Sequence, residues 1–459
     1  MAAGGLSRKV KIGFGLCDLG GNLFFTIMGF YLLYFLTNQV GLDPAKAGAA
    51  LLVGKVWDAV SDPLVGGLSD RTRTRWGRRR PWIFVGAFLL FGAMPLQFLP
   101  PVRGSQGTLF LWAAGVYCLL CTAYTFVNIP YGALTPELTE DYHERTVLNG
   151  YRQMSAVTGT FIGAAAVLPI VGAFSDPRTG WLVMAVIMGG VMLVTALVTV
   201  VTVPERGFGG TGPSGDGLGV FSGGGAGGGL RSWREVLRQG PFLLVLIPWA
   251  LHITGVTVVQ GALVYHFQYI YGRREAFQPA LMLLLLCATA AIPGWVRLSR
   301  RLGKRNSYNL GMGVFAAAMT GFFFLGNRLG IRGAYALMAL AGLGFAAQYA
   351  MPFAILPDVV EYDLAENGRR REGVYYGLWT FFSKMGQAFA AALTGWVLDA
   401  SGYAPEAAAQ TEATRQAIRL LSGLIPAAFV GAGILIHSFY PIDRAYFDKL
   451  ASKARLRGA

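Results

Sequence analysis

Charged residues are scarce in this sequence of 459 residues. They make up 14% of the chain, compared with about 25% in typical soluble domains. Hydrophobic residues make up 54%, so the chain has too few polar side chains to cover a water-facing surface. The scarcity excludes a set of soluble domains and indicates a protein whose solvent is lipid.

Cysteine and histidine are also rare, with four of each. Cys17, Cys118, Cys121 and Cys287 all lie within apolar runs, which argues against a disulfide framework. No second cysteine pair or histidine cluster completes a metal site around Cys118 and Cys121. No motif places a histidine beside a nucleophile, so an integral-membrane enzyme is disfavoured.

Long apolar segments dominate the sequence. A transmembrane helix needs about 20 mostly apolar residues. The first run is too long for a cleaved signal peptide and is interpreted as an uncleaved span. Twelve candidate spans follow one another, at residues 12–37, 46–69, 81–101, 108–135, 149–174, 179–203, 240–266, 277–297, 307–327, 332–356, 373–400 and 420–440.

The positive charges are distributed unevenly between alternate loops. Loops and helix ends on the N-terminal side carry 28 Lys and Arg residues, and the opposite ones carry 9. This asymmetry predicts that both termini are cytoplasmic in a multi-pass protein of the plasma (inner) membrane. Because the basic residues lie in short loops between apolar runs, the net charge of +15 indicates membrane orientation and not nucleic-acid binding.

The two halves of the chain repeat each other. Gly77-Arg78-Arg79 follows the second span and Gly303-Lys304-Arg305 follows the eighth. Ile129-Pro130-Tyr131 ends the fourth span and Met351-Pro352-Phe353 ends the tenth. Such repeats predict an all-α membrane protein of twelve transmembrane helices in two pseudo-symmetric six-helix halves, the architecture of the major facilitator superfamily.

The predicted organisation has three parts. Residues 1–203 form the N-terminal half, residues 204–239 a cytoplasmic linker, and residues 240–459 the C-terminal half. The stretch Gly207 to Gly229 is rich in glycine, which is typical of a flexible connection.

The second span contains three charged residues, Lys55, Asp58 and Asp62. Each costs at least about 2.5–3.5 kcal/mol near the bilayer centre. At helical spacing the three fall within about 60° of one another, with Ser61 beside them, so they form one stripe that must face the interior. Two carboxylates one turn apart repel unless a cation or proton lies between them. We predict a cation site here; the alternative is a structural Lys–Asp pair.

The eleventh span contains another isolated charge, Lys384. A buried lysine keeps its charge when a carboxylate faces it, and the acids of the second span are candidates. Lys384 and Lys55 are therefore predicted to couple the cation site to the solute.

Further polar residues in the N-terminal half form a predicted patch. Tyr124, Thr125 and Asn128 lie in the fourth span, Arg152 begins the fifth, and Asn22 lies in the first. Each of these residues alone is more often structural than functional. Together they suggest a polar cavity lined by several helices.

Three segments carry a family resemblance: Lys55 to Pro63, Arg75 to Trp82, and Asn128 to Tyr131, with support from the eleventh span up to Lys384. They resemble the glycoside–pentoside–hexuronide:cation symporters, which are melibiose-permease-like members of the major facilitator superfamily. The resemblance runs along most of the chain, and the Trp-Asp-Ala-x-x-Asp-Pro string is its most specific part.

The resemblance implies roles for individual residues. Asp58 and Asp62 are the implied cation ligands, and Ser61 and Thr125 occupy matching positions of that site. Arg152, Thr380 and Lys384 match residues near the solute. The coupling ion is Na⁺ or H⁺, and no other cofactor is expected.

The sequence departs from the galactoside-binding members of the family. Two aspartates of those members correspond here to Asn22 and Asn128, and a tryptophan corresponds to Gly132. Similar sodium-dependent lysophospholipid transporters share the acids of the second span and the segment Pro130 to Thr135. The predicted solute is therefore a neutral or anionic sugar or glycoside, with a lysophospholipid as the alternative.

The cytoplasmic loop after the second span resembles a signature of the superfamily. Asp70, Arg71, Arg78 and Arg79 are predicted to form charge pairs that gate the cytoplasmic side; the alternative is orientation charge alone. A cation-coupled symporter acting as a monomer in lipid is the leading prediction. A transporter-like sensor is disfavoured because it would need an added soluble domain.

Overall fold

The computed structural model describes residues 6–101, 104–139, 141–205, 232–368, 371–405, 407 and 409–442. Within these residues the elements are helices, and one isolated bridge joins Thr74 to Gly77. The chain divides into two compact units, Met1–Ser222 and Gly223–Ala459. Most of the predicted glycine-rich linker lies at positions 206–231, outside the described residues.

The first unit contains the predicted spans one to six. A π-helical turn, Met28–Leu32, connects the first two helices within span one. The helices are α1 (Arg8–Ile27), α2 (Leu33–Asn38), α3 (Pro44–Arg71), α4 (Arg80–Gln97), α5 (Gln106–Leu138), α6 (Tyr142–Gly172) and α7 (Pro177–Thr202).

Several of these helices begin at a capping side chain. Ser7, Ser105 and Asp141 each accept a hydrogen bond from the backbone N–H three residues later. Asp176 accepts from the N–H groups of Arg178 and Thr179 at the start of α7. These caps satisfy N–H groups that the first helical turn leaves without partners, which explains where the helices begin.

Helix α1 packs on α6 and α7, while α3 and α4 pack on α5. A side chain at Gly159 of α6 would overlap the backbone of Leu19, so glycine lets α6 approach α1 closely. Phe14, Cys17 and Tyr131 belong to the buried cluster that joins α1, α4 and α5. This packing places residues of spans one, four and five beside one another.

The second unit contains the predicted spans seven to twelve. Its helices are α8 (Gly240–Tyr265), α9 (Phe277–Ala350), α10 (Pro352–Asn367), α11 (Glu372–Ala400), α12 (Glu412–Ser422) and α13 (Leu424–His437). Helix α8 packs on α11 and α13, and α9 also packs on α13.

Helix α9 contains three rods joined at two glycines. Gly303 and Gly330 have φ values of +80° and +59° and leave the helical conformation. Such values suit glycine, which has no Cβ to clash. The breaks fall between predicted spans eight and nine and between nine and ten.

Eight helical stretches of the described chain are long and apolar enough to cross a membrane by length and composition alone. One of them, Arg274–Gly326, contains the break at Gly303 and therefore two rods. Helices α3, α4 and α11 are not among the eight, and α3 and α11 contain the charges discussed above. The helical pattern is consistent with the twelve predicted spans.

Spans one and seven share a feature that the sequence pattern did not predict. A five-residue π-helical turn, Met28–Leu32, lies inside span one, and another, His266–Ile270, follows α8 at the end of span seven.

Candidate functional site

Asp58 and Asp62 in α3 meet Thr125 of α5. The Thr125 hydroxyl oxygen lies 3.3 Å from Asp58 Oδ1 and 3.1 Å from Asp62 Oδ1. Asp58 is 2% exposed and Thr125 is fully buried, while Asp62 is partly buried. A hydroxyl carries one hydrogen, so Thr125 donates to only one of these carboxylates at a time. The arrangement is suited to a cation or proton shared among the oxygen atoms.

Ser61 lies against the same group. Its hydroxyl is 3.4 Å from the Thr125 hydroxyl and donates to the backbone carbonyl of Asp58 at 3.2 Å. Pro63 follows Asp62 and has no N–H to donate to the Ala59 carbonyl, which adds another oxygen to this part of α3. Carboxylate, hydroxyl and carbonyl oxygens are the ligands that hard cations prefer.

Lys55 lies one turn before Asp58 on the same helix and is 8% exposed. Its Nζ atom is 5.1 Å from the centre of the Phe25 ring in α1, within cation–π range. The Phe25 ring packs edge-on against Tyr124 at 5.1 Å between centroids. Lys55 is thereby connected, through two aromatic rings, to the predicted solute-binding residues of α5.

Arg152 of α6 forms an ion pair with Asp18 of α1. The Arg152 Nε atom donates to Asp18 Oδ2 at 2.5 Å, and Nη2 lies 3.5 Å from Oδ1. The Tyr131 hydroxyl lies 2.7 Å from Asp18 Oδ2 and 2.9 Å from the Phe14 carbonyl oxygen. The guanidinium carbon of Arg152 also lies 5.0 Å from the centre of the Tyr131 ring.

Asp18 is not among the residues predicted from the sequence. An acidic residue inside the first apolar run was itself a signal, because charges within a span face the protein interior and mark functional sites. The partner could not be identified in the same way, since Arg152 lies 134 positions away.

The predicted polar patch comes together in part. Tyr124 and Asn128 line a small cavity with Asp18 and Tyr131. Asn22 differs, because its amide nitrogen donates to the backbone carbonyl of Asp18 at 2.9 Å, within its own helix. Asp18 therefore provides the carboxylate on this side of α1.

Tyr124 is buried and links the two polar groups. Its ring stacks on Phe24 at 4.6 Å. It also lines the cavity beside Asp18 and packs edge-on against Phe25, the ring that Lys55 contacts.

The loop between α3 and α4 contains the residues of the predicted gate. Asp70 and Arg79 form an ion pair, and Arg79 Nη1 also donates to the Ser69 hydroxyl at 2.7 Å. Arg79 is buried, and Arg78 is partly buried. Arg71 is exposed.

Glu205, shortly after the end of α7, holds this loop through hydrogen bonds. It was not predicted from the sequence. Its carboxylate accepts from the backbone N–H groups of Arg78, Arg79 and Arg80, at 2.5, 2.9 and 3.2 Å. The turn before them uses Gly77 with φ of +107°, a value that favours glycine. Glu205 therefore acts as the cap of α4 although it lies on a distant segment.

In the second unit, Thr380 and Lys384 lie one turn apart on α11. Thr380 is exposed and Lys384 is partly buried. The coupling between Lys384 and the carboxylates of α3 stays a prediction.

Arg371, the residue before α11, pairs with Asp363 at 2.7 Å and with Glu235 at 3.0 Å. The hydrogen bond to Asp363 raises the pKa of Arg371 above its ordinary value.

Comparisons with known proteins show which family the chain belongs to. The family described as MFS/sugar transport protein matches residues 13–444. An uncharacterized symporter of Synechocystis is 29% identical, covering 100% of this chain and 98% of the relative. A putative glycoside/cation symporter of Escherichia coli is also 29% identical, over 97% of this chain and 94% of the relative.

A third relative, the sodium-dependent lysophosphatidylcholine symporter 1 of Gallus gallus, is 26% identical over 91% of this chain and 83% of its own length. Among solved structures, one from a study of proton-dependent oligopeptide transporters has a TM-score of 0.69 at 13% identity, covering 96% of this chain and 99% of the other. The nucleoside transporter NupG has a TM-score of 0.64 at 14% identity, covering 93% and 98%. At these identities the structures show the fold alone.

Proposed function

The chain belongs to the MFS/sugar transport protein family, and from this premise we propose that it is a cation-coupled symporter of a sugar or glycoside. Membership makes it a multi-pass membrane transporter of a small solute and not an enzyme. We place it in the plasma (inner) membrane as a monomer, with both termini cytoplasmic, as the distribution of positive charge predicts.

The contact of Thr125 with both Asp58 and Asp62 carries the proposal. Without a cation, two carboxylates one turn apart in a buried setting repel each other. A bound Na⁺ or proton relieves that repulsion and stabilises the arrangement of α3 against α5. Binding energy for the ion thereby becomes available to bias the conformation, and the solute must in turn strengthen ion binding.

The solute group is suggested by the polar residues near Arg152, although the cavity that they line is only about the size of a water molecule. Asn128, Tyr124 and Tyr131 offer amide and hydroxyl groups, and Asp18 offers a carboxylate. Adjacent donors and acceptors of this kind suit hydroxyl groups, which both donate and accept. A sugar or glycoside is the leading solute, in keeping with the glycoside/cation relative.

A lysophospholipid is the second candidate. The observation that favours it is the lysophosphatidylcholine symporter relative, whose match extends over 91% of this chain. Both solutes are compatible with the same cation site and the same alternating-access fold.

Uptake into proteoliposomes tests the proposal. Purified protein would be reconstituted and given an inward Na⁺ gradient, an inward proton gradient, or neither. A panel of labelled glycosides and lysophosphatidylcholine would then be offered. We expect accumulation of a glycoside that requires one of the gradients. Accumulation of lysophosphatidylcholine without response to any sugar would establish the second candidate, and uptake indifferent to both gradients would exclude symport.

A further inference from the structure

Three exposed arginines lie close together on helix α9, where the predicted span eight ends. Arg297, Arg300 and Arg301 are here called the arginine stripe. At helical spacing their side chains fall within about 100° of one another, on one face of the rod. Trp295 donates to the backbone carbonyl of Leu343 at 2.7 Å, which fixes this end of the rod. Membrane orientation depends on the number of positive charges and not on a shared helix face, so topology does not explain the stripe.

The break at Gly303, directly after the stripe, is held by a lysine whose donors are all used. Lys304 donates to the two carboxylate oxygens of Asp358 at 2.8 and 2.7 Å and to the Ala354 carbonyl at 2.8 Å. An ammonium group has three hydrogens, so Lys304 has none left for another acceptor. Among the residues that the structure describes, no carboxylate pairs with the arginine stripe. Its guanidinium groups are therefore available to an anionic ligand.

Apolar side chains are exposed on either side of the stripe. Val296 is 40% exposed and Leu302 is 44% exposed, and Leu310, on the rod after the break, is 49% exposed. In a membrane transporter, exposed apolar side chains near the end of a span contact the acyl chains of the bilayer. A guanidinium group binds phosphate oxygens with two parallel hydrogen bonds. A ligand that combines a phosphate with acyl chains matches both surfaces.

We propose that the arginine stripe binds the headgroup of an anionic phospholipid in the cytoplasmic leaflet. The lipid phosphate accepts hydrogen bonds from arginines one helical turn apart, and its acyl chains lie along Val296 and its apolar neighbours. The leaflet follows from the predicted orientation, and anionic lipids give the cytoplasmic leaflet a negative surface potential. The site lies within the second unit and involves neither the candidate cation site nor the solute, so it goes beyond the proposed function.

Lipid binding to the purified full-length protein tests the proposal. Delipidated protein in detergent would be titrated with dioleoyl phosphatidylglycerol or with dioleoyl phosphatidylcholine, which have the same acyl chains and differ in headgroup charge. Native mass spectrometry would count the bound lipids and give an affinity for each. We expect the wild type to bind phosphatidylglycerol more tightly. Inorganic phosphate, added as a competitor, distinguishes a lipid site from a site for free phosphate.

Helix α9 offers a matched pair of double variants. Arg297→Gln/Arg301→Gln removes two arginines four residues apart on one helix face. Arg328→Gln/Arg332→Gln removes two exposed arginines at the same spacing, but the break at Gly330 separates them, so they share no helix face. Phosphatidylglycerol affinity should fall about fivefold for each arginine of the stripe, or about 25-fold in the first variant. It should stay unchanged in the second, and phosphatidylcholine affinity should stay unchanged in both.

The possible outcomes decide between a lipid site and general attraction. Equal losses of phosphatidylglycerol affinity in the two double variants would indicate attraction by net charge and overturn the assignment. Equal wild-type affinities for the two lipids would leave the stripe with an orientation role only. Full displacement of the lipid by equimolar inorganic phosphate would make free phosphate the ligand. Thermal unfolding without lipid would report folding, and Arg300→Gln, expected to lose about fivefold, decides if the first double variant does not fold.

Discussion

The hydroxyl oxygen of Thr125 lies 3.1 Å from a carboxylate oxygen of Asp62, although the two residues are 63 positions apart. The same hydroxyl reaches Asp58. One neutral side chain thus joins both acids of α3, and it does so with a single hydrogen. This contact makes α5 part of the candidate cation site and gives the ion a means to alter how α3 and α5 pack.

Replacing Thr125 should weaken cation binding. Thr125→Val removes the hydroxyl but keeps the branched shape, whereas Thr125→Ser keeps the hydroxyl. A hydrogen bond to a charged group contributes about 1.5–3 kcal/mol, so we expect Na⁺ affinity to fall about tenfold or more in the valine variant. Na⁺-dependent thermal stabilisation would measure this.

The chain offers a matched control at Thr122, one turn earlier on the same helix. Its hydroxyl accepts a hydrogen bond from the exposed Trp57 at 2.8 Å and does not contact the acids. Thr122→Val should therefore leave the Na⁺ affinity unchanged. Equal losses in the two valine variants would argue against a direct role for Thr125.

The carboxylates themselves should be required for accumulation against a gradient. Asp58→Cys and Asp62→Cys are expected to abolish concentrative uptake, while solute binding or downhill exchange partly survives. The reason is that coupling of about 1–3 kcal/mol between ion and solute disappears with the ion site. Solute affinity measured with and without Na⁺, and at several pH values, would report this coupling. Normal cation-dependent accumulation by either variant would refute the assignment.

The ion pair of Asp70 and Arg79 should influence the gate. Asp70→Asn removes the negative partner of a buried arginine and is expected to change the transport rate and the inward-open to outward-open ratio. Distance measurements between spin labels would report the populations. Asp43→Asn, which breaks an exposed pair with Lys46, is the control and should have little effect. Unchanged populations in Asp70→Asn would leave the loop with an orientation role only.

Glu205 should contribute to stability through the backbone of the same loop. Glu205→Ala removes the acceptor of three N–H groups, and an unsatisfied buried donor costs about 1–3 kcal/mol. We expect a lower Tm, with Glu205→Gln intermediate because its amide oxygen still accepts. A Tm equal to that of wild type in Glu205→Ala would show that other groups take over this cap.

Membrane orientation can be checked by thiol labelling. In a variant without the four native cysteines, Ser214→Cys in the predicted linker should resist an impermeant reagent in intact cells and react in inside-out vesicles. Asp176→Cys, between α6 and α7, should behave in the opposite way. Reaction of Ser214→Cys from outside intact cells would reverse the topology predicted from the positive charges.

Local features of the sequence determined the membrane class, the helices and the charged stripe of α3. Each depends on composition or on spacing along one helix, where geometry repeats every 3.6 residues. Thr125 and Arg152 were candidates as members of a polar patch, and the family resemblance implied their roles. The glycines at 77 and 303 were likewise visible as repeated motifs.

Tertiary structure alone decided which distant residues meet. Asp18 contacts Arg152 across 134 positions, and Glu205 reaches the amides of the α3–α4 loop across more than 120. These contacts depend on how α1 packs against α6 and where α7 ends, which follows from the shapes of whole helix surfaces. Spacing within one helix contains no information about its partners, so the charge balance around Arg152 emerged only when the helices were packed together.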